Sequence, residues 1–208
     1  PRFLMIAVLC VTFYCTVIRF KKFGVSILLP LFGVDLEIAT VLLAMIPFFT
    51  ILFTPLFGAL VDKVGKATLW MIVGSALVLI SHLIITFAPQ GEPVYAYIAI
   101  ALLGTGYSLV PSAMWPSVPK IIPEKNLGTA YSLIYWVQNL GMWAVPIYVG
   151  RIFKNTITEA GNATQEISAA IRAEYVFIFL GIIAIATALM LYFSSKRHPE
   201  LHLDKAAK

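Results

Sequence analysis

Charged residues are scarce in this sequence. They make up 12% of its 208 residues, and 60% of the residues are hydrophobic, whereas ordinary soluble domains are roughly 25% charged. A mean hydropathy of +0.90 therefore excludes an ordinary water-soluble domain and predicts a multi-pass membrane protein. The two cysteines, Cys10 and Cys15, lie within one apolar segment, so the sequence predicts no disulfide framework, no metal site and no cofactor.

Known catalytic motifs are also missing. The sequence contains no Gly-x-Ser-x-Gly, no His-Glu-x-x-His and no phosphate-binding loop. An intramembrane enzyme would need paired polar groups at one depth, and the candidate is His82 with Ser81 or Ser75. We expect no acidic residue within a membrane span, so these groups have no partner acid. We therefore predict no enzyme and no catalytic residues, and interpret His82 as either a packing histidine or a proton relay.

Six long apolar segments are present. A helix needs about 20 residues to cross a bilayer, because it rises about 1.5 Å per residue and the hydrocarbon core is about 30 Å thick. The predicted membrane helices are residues 3–32, 38–60, 69–88, 94–118, 127–149 and 175–194. We expect an all-α domain over residues 1–195, followed by a basic tail over residues 196–208. The alanine-rich stretch 155–173, in the longest predicted loop, can form a short interfacial helix.

Basic residues are distributed unevenly between the two sides of the predicted bundle. Lys and Arg collect on the cytoplasmic side of membrane proteins. With both chain ends in the cytoplasm, nine Lys and Arg residues lie on that side and three, Arg151, Lys154 and Arg172, lie on the other. This asymmetry predicts an even number of spans, and it explains the net charge of +5 without a nucleic-acid partner. Because the chain starts at Pro1 and not at Met, we expect that its beginning is missing.

A short charged turn separates the second and third predicted helices. Residues 58–66 read GALVDKVGK. Gly58 lets two helices approach closely, and Gly65 permits a tight turn. We expect Asp62 to accept backbone N–H bonds at the start of the third helix, and Lys66 to pair with an acidic group, a helix C-terminus or anionic headgroups. The alternative is a solvated loop that only marks topology.

The spacing of this turn resembles the loop signature of the major facilitator superfamily, a class of secondary transporters. In that family the motif lies between the second and third helices of a six-helix half, and it acts in gating without contacting substrate. Residues 113–132, AMWPSVPKIIPEKNLGTAYS, and residues 138–141, QNLG, resemble the branch that contains lysosomal dipeptide transporters and their bacterial relatives. We expect the protein in the inner (plasma) membrane of a bacterial cell.

The resemblance implies a fold and a function. The chain would be the C-terminal half of a twelve-helix transporter, with six membrane helices in two inverted three-helix repeats. It would move a small polar solute, a peptide or an organic anion, by alternating access against the missing N-terminal half within a lipid bilayer. The alternative is a half-size membrane module that pairs with a second copy of itself and has no transport activity without that N-terminal half.

The resemblance also implies where the solute binds, because the first, second, fourth and fifth helices of each half face the central site in the family. The polar and aromatic side chains of the predicted fourth and fifth helices are therefore candidate substrate-binding groups: Tyr107, Trp115, Tyr131, Tyr135, Gln138 and Asn139. Tyr131, Tyr135 and Gln138 fall on one helical face. The alternative for each residue is ordinary helix packing through hydrogen bonds.

Three cations, Arg19, Lys21 and Lys22, lie inside the first predicted helix. That helix is roughly 45 Å long if it is continuous, so the cluster lies past its middle, where a cation is costly unless it reaches the interface. Arg19 and Lys22 share a helical face, and we expect one of them to hold a substrate carboxylate or phosphate. The alternative is that the helix ends near Ile18 and the cations are interfacial.

Overall fold

The computed structural model describes residues 2–158, 161–199 and 203–206, and within these ranges it contains helices and no strands. Pro1, at which we placed the missing start, and residues 200–202, 207 and 208 of the predicted tail lie outside the described residues. The helices are α1 (Arg2–Tyr14), α2 (Phe20–Phe32), α3 (Leu36–Val64), α4 (Ala67–Phe87), α5 (Pro93–Met114), α6 (Val118–Ile121), α7 (Leu127–Thr156) and α8 (Ala163–Arg197). A π turn, Cys15–Arg19, joins α1 to α2, and 3-10 turns at Trp115–Ser117 and Glu124–Asn126 flank α6.

Five described helical segments are long and apolar enough to cross a membrane. They are Arg2–Phe32, Leu36–Val64, Ala67–Phe87, Pro93–Ile121 and Ala163–Arg197. The sixth helix, α7, has 30 residues and so has sufficient length, but polar side chains such as Gln138 and Asn139 make it less apolar. The predicted all-α, multi-pass membrane fold is therefore confirmed. We count α7 as the sixth helix of the bundle because its 30 residues are long enough to cross a bilayer.

The boundary between α7 and α8 differs from the prediction. The predicted separate interfacial helix at 155–173 is wrong, because α7 continues to Thr156 and α8 already begins at Ala163 rather than at residue 175. Asn162 caps α8 by accepting a bond from the Gln165 N–H at 3.0 Å, as N-cap residues do. The alanines that follow favour a helical backbone. This first part of α8 is nevertheless too polar to lie in the hydrocarbon core, which is why it was not predicted as part of a membrane helix.

Small residues set the spacing of the central helices. α4 packs against α5 and α8, while α1 packs against α7 and α8, and α3 packs against α5. At the α4–α5 contact, a Cβ added to Gly106 would lie 2.6 Å from the backbone oxygen of Gly74. Close backbone approach through glycine is the usual way in which membrane helices associate.

Several helices, α3 and α7 among them, expose large apolar side chains. Ile51 and Leu56 of α3 are 76% and 60% exposed, and Trp136 and Trp143 of α7 are 61% and 70% exposed. These surfaces require lipid or other membrane helices around them, because contiguous exposed apolar patches of this kind mark contact surfaces. The α3 and α7 faces therefore border something outside the described bundle.

Candidate substrate face, α3–α4 turn and buried ion pair

An aromatic cluster brings four of the predicted site residues together. Trp115, in the turn after α5, stacks on Tyr135 of α7 with ring centroids 5.1 Å apart, and it lies 5.9 Å from the Tyr131 ring. Its indole N–H donates to the Tyr14 hydroxyl at 3.0 Å. Tyr107 meets Tyr14 edge to face at 6.0 Å. Tyr14 was missed in the sequence, although a hydroxyl-bearing side chain within an apolar helix was a usable signal.

The other two predicted residues on α7 have different surroundings. Gln138 is buried, and its Oε1 accepts a bond from the Cys10 Sγ at 3.3 Å. The Gln138 amide therefore lies in the α1–α7 contact, which fits the packing alternative. Asn139 is exposed, and its Nδ2 donates to the backbone oxygen of Tyr135 at 2.9 Å in the same helix. The structure thus separates Gln138 from the exposed ring of Tyr135.

Arg19 is the last residue of the π turn, near the middle of the continuous span Arg2–Phe32. Its guanidinium Nε donates to the Met142 Sδ of α7 at 3.2 Å, and a thioether is a weak acceptor. Arg19 forms no ion pair with any described residue. Lys22 is exposed on α2. Because the first span continues through Arg19 and Lys22 as far as Phe32, the alternative in which the helix ends near Ile18 is excluded.

The turn at residues 58–66 has the tight backbone that the sequence predicts, but two of its side chains differ from the prediction. Gly65 ends α3 with φ of 71°, and Lys66 follows with φ of 55°, which is the left-handed region that tight turns use. Gly58, in contrast, has nothing within 4 Å of an added Cβ, so it is not a close helix contact within this chain. Asp62 is exposed in the last turn of α3, and the prediction that it caps the next helix is wrong.

The carboxylate that caps α4 comes from the C-terminal segment 203–206. Asp204 accepts bonds from the Thr68 N–H at 2.9 Å and from the Thr68 hydroxyl at 2.8 Å. The Ser195 hydroxyl donates to the same carboxylate at 2.7 Å, and the Lys66 N–H donates to the Asp204 backbone oxygen at 2.8 Å. An added Cβ at Gly65 would lie 2.5 Å from that oxygen. The segment therefore closes over the turn.

A buried ion pair joins α4 to α8. The His82 Nδ1 lies 2.7 Å from the Glu174 Oε2, and both side chains are fully buried. This overturns the expectation that no acidic residue lies within a span and that His82 lacks a partner acid. Glu174 had been placed in a loop because the sixth helix was predicted to start at residue 175. His82 is thus neither alone nor paired with Ser81, whose hydroxyl donates to the Ala99 backbone oxygen.

A separate cavity in the described part of the chain lies away from these residues. An open groove of about 700 Å³ lies between α7 and α8, lined mainly by apolar side chains such as Val145 and Phe179. It contains none of the predicted site residues. Because a polar solute needs convergent polar groups, we place the candidate site at the aromatic cluster and Arg19. Among the described residues, no group of three or more His, Cys, Asp or Glu could hold a metal ion.

Curated proteins similar to this chain are named as transporters. The lysosomal dipeptide transporter MFSD1 of Homo sapiens is 34% identical over 148 residues, which is 71% of this chain and 31% of that protein. The protein of the same name from Mus musculus is 35% identical over 149 residues, or 72% of this chain and 31% of the relative. The chain therefore spans about a third of the length of these relatives, and the expected resemblance to this branch is confirmed.

Solved structures and a family model agree on the fold. A peptide transporter POT in complex with alafosfalin gives a TM-score of 0.69 at 15% identity, covering 98% of this chain and 40% of that one. The same transporter type with sulfate gives 0.67 at 16% identity, covering 97% and 40%. At these identities the likeness concerns the fold alone. A family model for the Major Facilitator Superfamily matches residues 1–146, so this chain belongs to the Major Facilitator Superfamily.

Proposed function

We propose that this chain is the C-terminal half of a secondary transporter that carries small peptides across a membrane by alternating access against an N-terminal half. Membership of the superfamily and the name of the MFSD1 relatives, dipeptide transporter, support this proposal. The chain spans about a third of those relatives, so the opposing wall of the site would come from the other half. In this proposal both chain ends face the cytoplasm and the membrane is a bacterial inner membrane.

Arg19 is the observation that carries the proposal. An arginine at the middle of a membrane span is costly unless it borders an aqueous cavity or pairs with an anion. Among the described residues the Arg19 side chain has the weak Met142 thioether as its hydrogen-bond acceptor and no carboxylate. Its planar fork matches a carboxylate in two parallel hydrogen bonds. We therefore assign Arg19 to the C-terminal carboxylate of the peptide, with the exposed Lys22 as the alternative anchor.

The distance between Arg19 and the aromatic cluster fits a short peptide. Met142, which contacts Arg19, lies seven residues after Tyr135 on α7, and this spacing corresponds to about 10 Å along a helix. An extended dipeptide is about 7 Å long, and an extended tripeptide is about 10 Å long. A peptide held at Arg19 by its carboxylate would therefore reach Tyr135 and Trp115, whose rings offer stacking surface and polar edges.

A mutational transport assay tests the assignment of Arg19. In liposomes containing the complete protein, Arg19→Ala should raise the KM for a dipeptide with a free carboxylate by about tenfold or more, because a hydrogen bond to a charged group contributes about 1.5–3 kcal/mol. The carboxamide form of the same dipeptide should be transported equally by the wild type and the variant. Lys21→Ala, which removes a neighbouring cation, is the matched control. Unchanged discrimination between carboxylate and carboxamide in Arg19→Ala would remove the assignment.

A second candidate function follows from the exposed faces of α3 and α7. Ile51, Trp136 and Trp143 could contact the N-terminal half, or they could contact a second copy of this chain in a homodimer without transport activity. The mass of the purified complex separates a one-chain from a two-chain assembly. Peptide uptake by this chain with and without the N-terminal half then decides whether the half alone transports.

A further inference from the structure

The His82–Glu174 pair has the properties of a fixed contact rather than of a proton path. Both side chains are fully buried, and their facing atoms are 2.7 Å apart. Their other polar atoms, the His82 Nε2 and the Glu174 Oε1, have no hydrogen-bond partner among the described residues. A net charge in such a place would cost several kcal/mol, so removing either partner would leave the other without compensation.

Two phenylalanines hold the imidazole ring in one orientation. The Phe177 ring of α8 stacks on His82 with centroids 5.4 Å apart, and the Phe20 ring meets it edge to face at 5.2 Å. Phe20 also meets Phe177 edge to face at 5.9 Å. All three rings are fully buried, and a charged imidazole gains further attraction from an aromatic face. This cluster ties α2 to α4 and α8.

Phe20 connects this cluster to the proposed carboxylate anchor. It directly follows Arg19, the last residue of the π turn, and consecutive side chains on a helix point about 100° apart. Phe20 therefore packs inward against His82 while Arg19 points towards Met142 on α7. A π turn holds one more residue than an α turn and is often found at functional sites. The direction of Arg19 thus depends on where Phe20 is anchored.

We propose that His82 and Glu174 are positioning residues, which hold Phe20 in place and thereby maintain the π turn that aims Arg19 at the substrate carboxylate. This inference rests on the proposed role of Arg19. Without Glu174, the His82 imidazole loses the partner that fixes the plane of its ring. Phe20 then loses the fixed ring against which it packs edge to face. The substrate affected would be one with a free carboxylate.

The test compares three variants in the complete protein. Glu174→Ala removes the partner of His82, Glu174→Gln keeps a hydrogen-bond acceptor at the same position, and Ser75→Ala is the matched control. Ser75 lies on α4 like His82 and is likewise buried, and its hydroxyl has no partner among the described residues. The first readout is the KM of a dipeptide with a free carboxylate and of its carboxamide. The second readout is the labelling rate of Cys15 by a membrane-permeant thiol reagent, mapped by mass spectrometry.

Cys15 reports on the π turn without any transport. It is the first residue of that turn, it is buried, and its Sγ would lie 2.8 Å from a Cβ added to Gly141 of α7. In Glu174→Ala we expect faster Cys15 labelling and a higher KM for the free carboxylate, each by about tenfold, the scale of a lost hydrogen bond to a charged group. The carboxamide KM should not change. Glu174→Gln should restore both values.

The outcomes separate this inference from the proposed function. The inference would be overturned if the Glu174→Ala variant folds and has the same KM for the free-carboxylate dipeptide and the same Cys15 labelling rate as Ser75→Ala. This holds even if Arg19→Ala impairs uptake. If Arg19→Ala leaves uptake unchanged, the proposed function fails and Cys15 labelling alone decides whether the pair fixes the π turn. Should Glu174→Ala not fold, the double variant His82→Leu with Glu174→Leu leaves no unpaired charge, and the same two increases are expected.

Discussion

Replacing Asp204 by alanine should loosen the turn between α3 and α4, because this carboxylate is the cap of α4. The substitution removes the acceptor for the Thr68 N–H at 2.9 Å, for the Thr68 hydroxyl at 2.8 and 2.9 Å, and for the Ser195 hydroxyl at 2.7 Å. Loss of a helix N-cap costs about 0.5–2 kcal/mol. Each buried hydrogen bond to a charged group contributes about 1.5–3 kcal/mol to the free energy of unfolding. Because Asp204 is partly exposed to water, each of its hydrogen bonds contributes less than this. We expect a loss of about 2 kcal/mol.

The assay is a double-mutant cycle between Asp204→Ala and Thr68→Val, read by thermal unfolding of the complete protein in detergent. About 2 kcal/mol corresponds to a fall in the unfolding midpoint of about 4–8 °C for a domain of this size. Because Thr68→Val removes only the hydroxyl contact, whereas Asp204→Ala removes that contact and the others, the double variant should lose little more than Asp204→Ala alone. The control is Asp62→Ala, which removes an exposed carboxylate of the same turn and should leave the midpoint unchanged.

Two results would refute the reasoning about Asp204. Additive losses from Asp204→Ala and Thr68→Val would mean that the two side chains do not act as one contact. An equal loss from Asp62→Ala would mean that the turn responds to any missing negative charge. In either case the capping bonds at 2.8 and 2.9 Å would not determine the stability of the turn.

Two further substitutions test the packing. Gly106→Ala places a methyl group 2.6 Å from the Gly74 backbone oxygen and should cost about 1–3 kcal/mol by overpacking. Gly128→Ala, where an added Cβ meets nothing within 4 Å, should not lower the unfolding midpoint. Trp115→Phe keeps a smaller aromatic ring but loses the bond to the Tyr14 hydroxyl. It should cost about 1 kcal/mol, and adding Tyr14→Phe should cost nothing more, since both changes remove one bond.

The number of helices follows from the sequence because lipid leaves the chain few choices. A segment of about 20 apolar residues must satisfy its backbone internally, and a helix does so. Segment length cannot show how far a helix continues beyond the hydrocarbon, since water no longer requires apolar side chains there. For this reason the start of α8 at Ala163 was missed, and only the Asn162 cap and the alanines near it pointed to a helix.

That boundary error concealed the ion pair. Glu174 is 92 residues from His82 along the chain, so no local spacing connects them. A predicted helix start at residue 175 then placed the carboxylate in a loop, where it needed no partner. The physical rule that a buried histidine needs a partner would have motivated a search for an acid, but the rule cannot say which helix supplies it.

The π turn and the tail show a different limit. Arg19 and Lys22 share one face only if the helix has regular α-helical spacing. In the structure, residues Cys15–Arg19 form a π turn instead. The turn motif likewise suggested Asp62 as the cap, because its position before the third helix is suitable. The structure supplies the cap from Asp204 instead. Both outcomes depend on tertiary contacts, of α2 with α4 and α8 and of the tail with α4, that no short sequence pattern contains.

The lower apolarity of α7 is itself evidence about its surroundings. Asn139 and Tyr135 are exposed on a helix that lies among membrane-spanning helices, and polar side chains facing lipid are costly. The same helix exposes Trp143, which lipid or another protein chain would cover. Tyr135, Asn139 and Trp143 follow one another at four-residue spacing on α7, so they share one face of the helix. We infer that this face, which combines a phenol and an amide with an indole, borders another protein chain or a solute cavity rather than lipid alone.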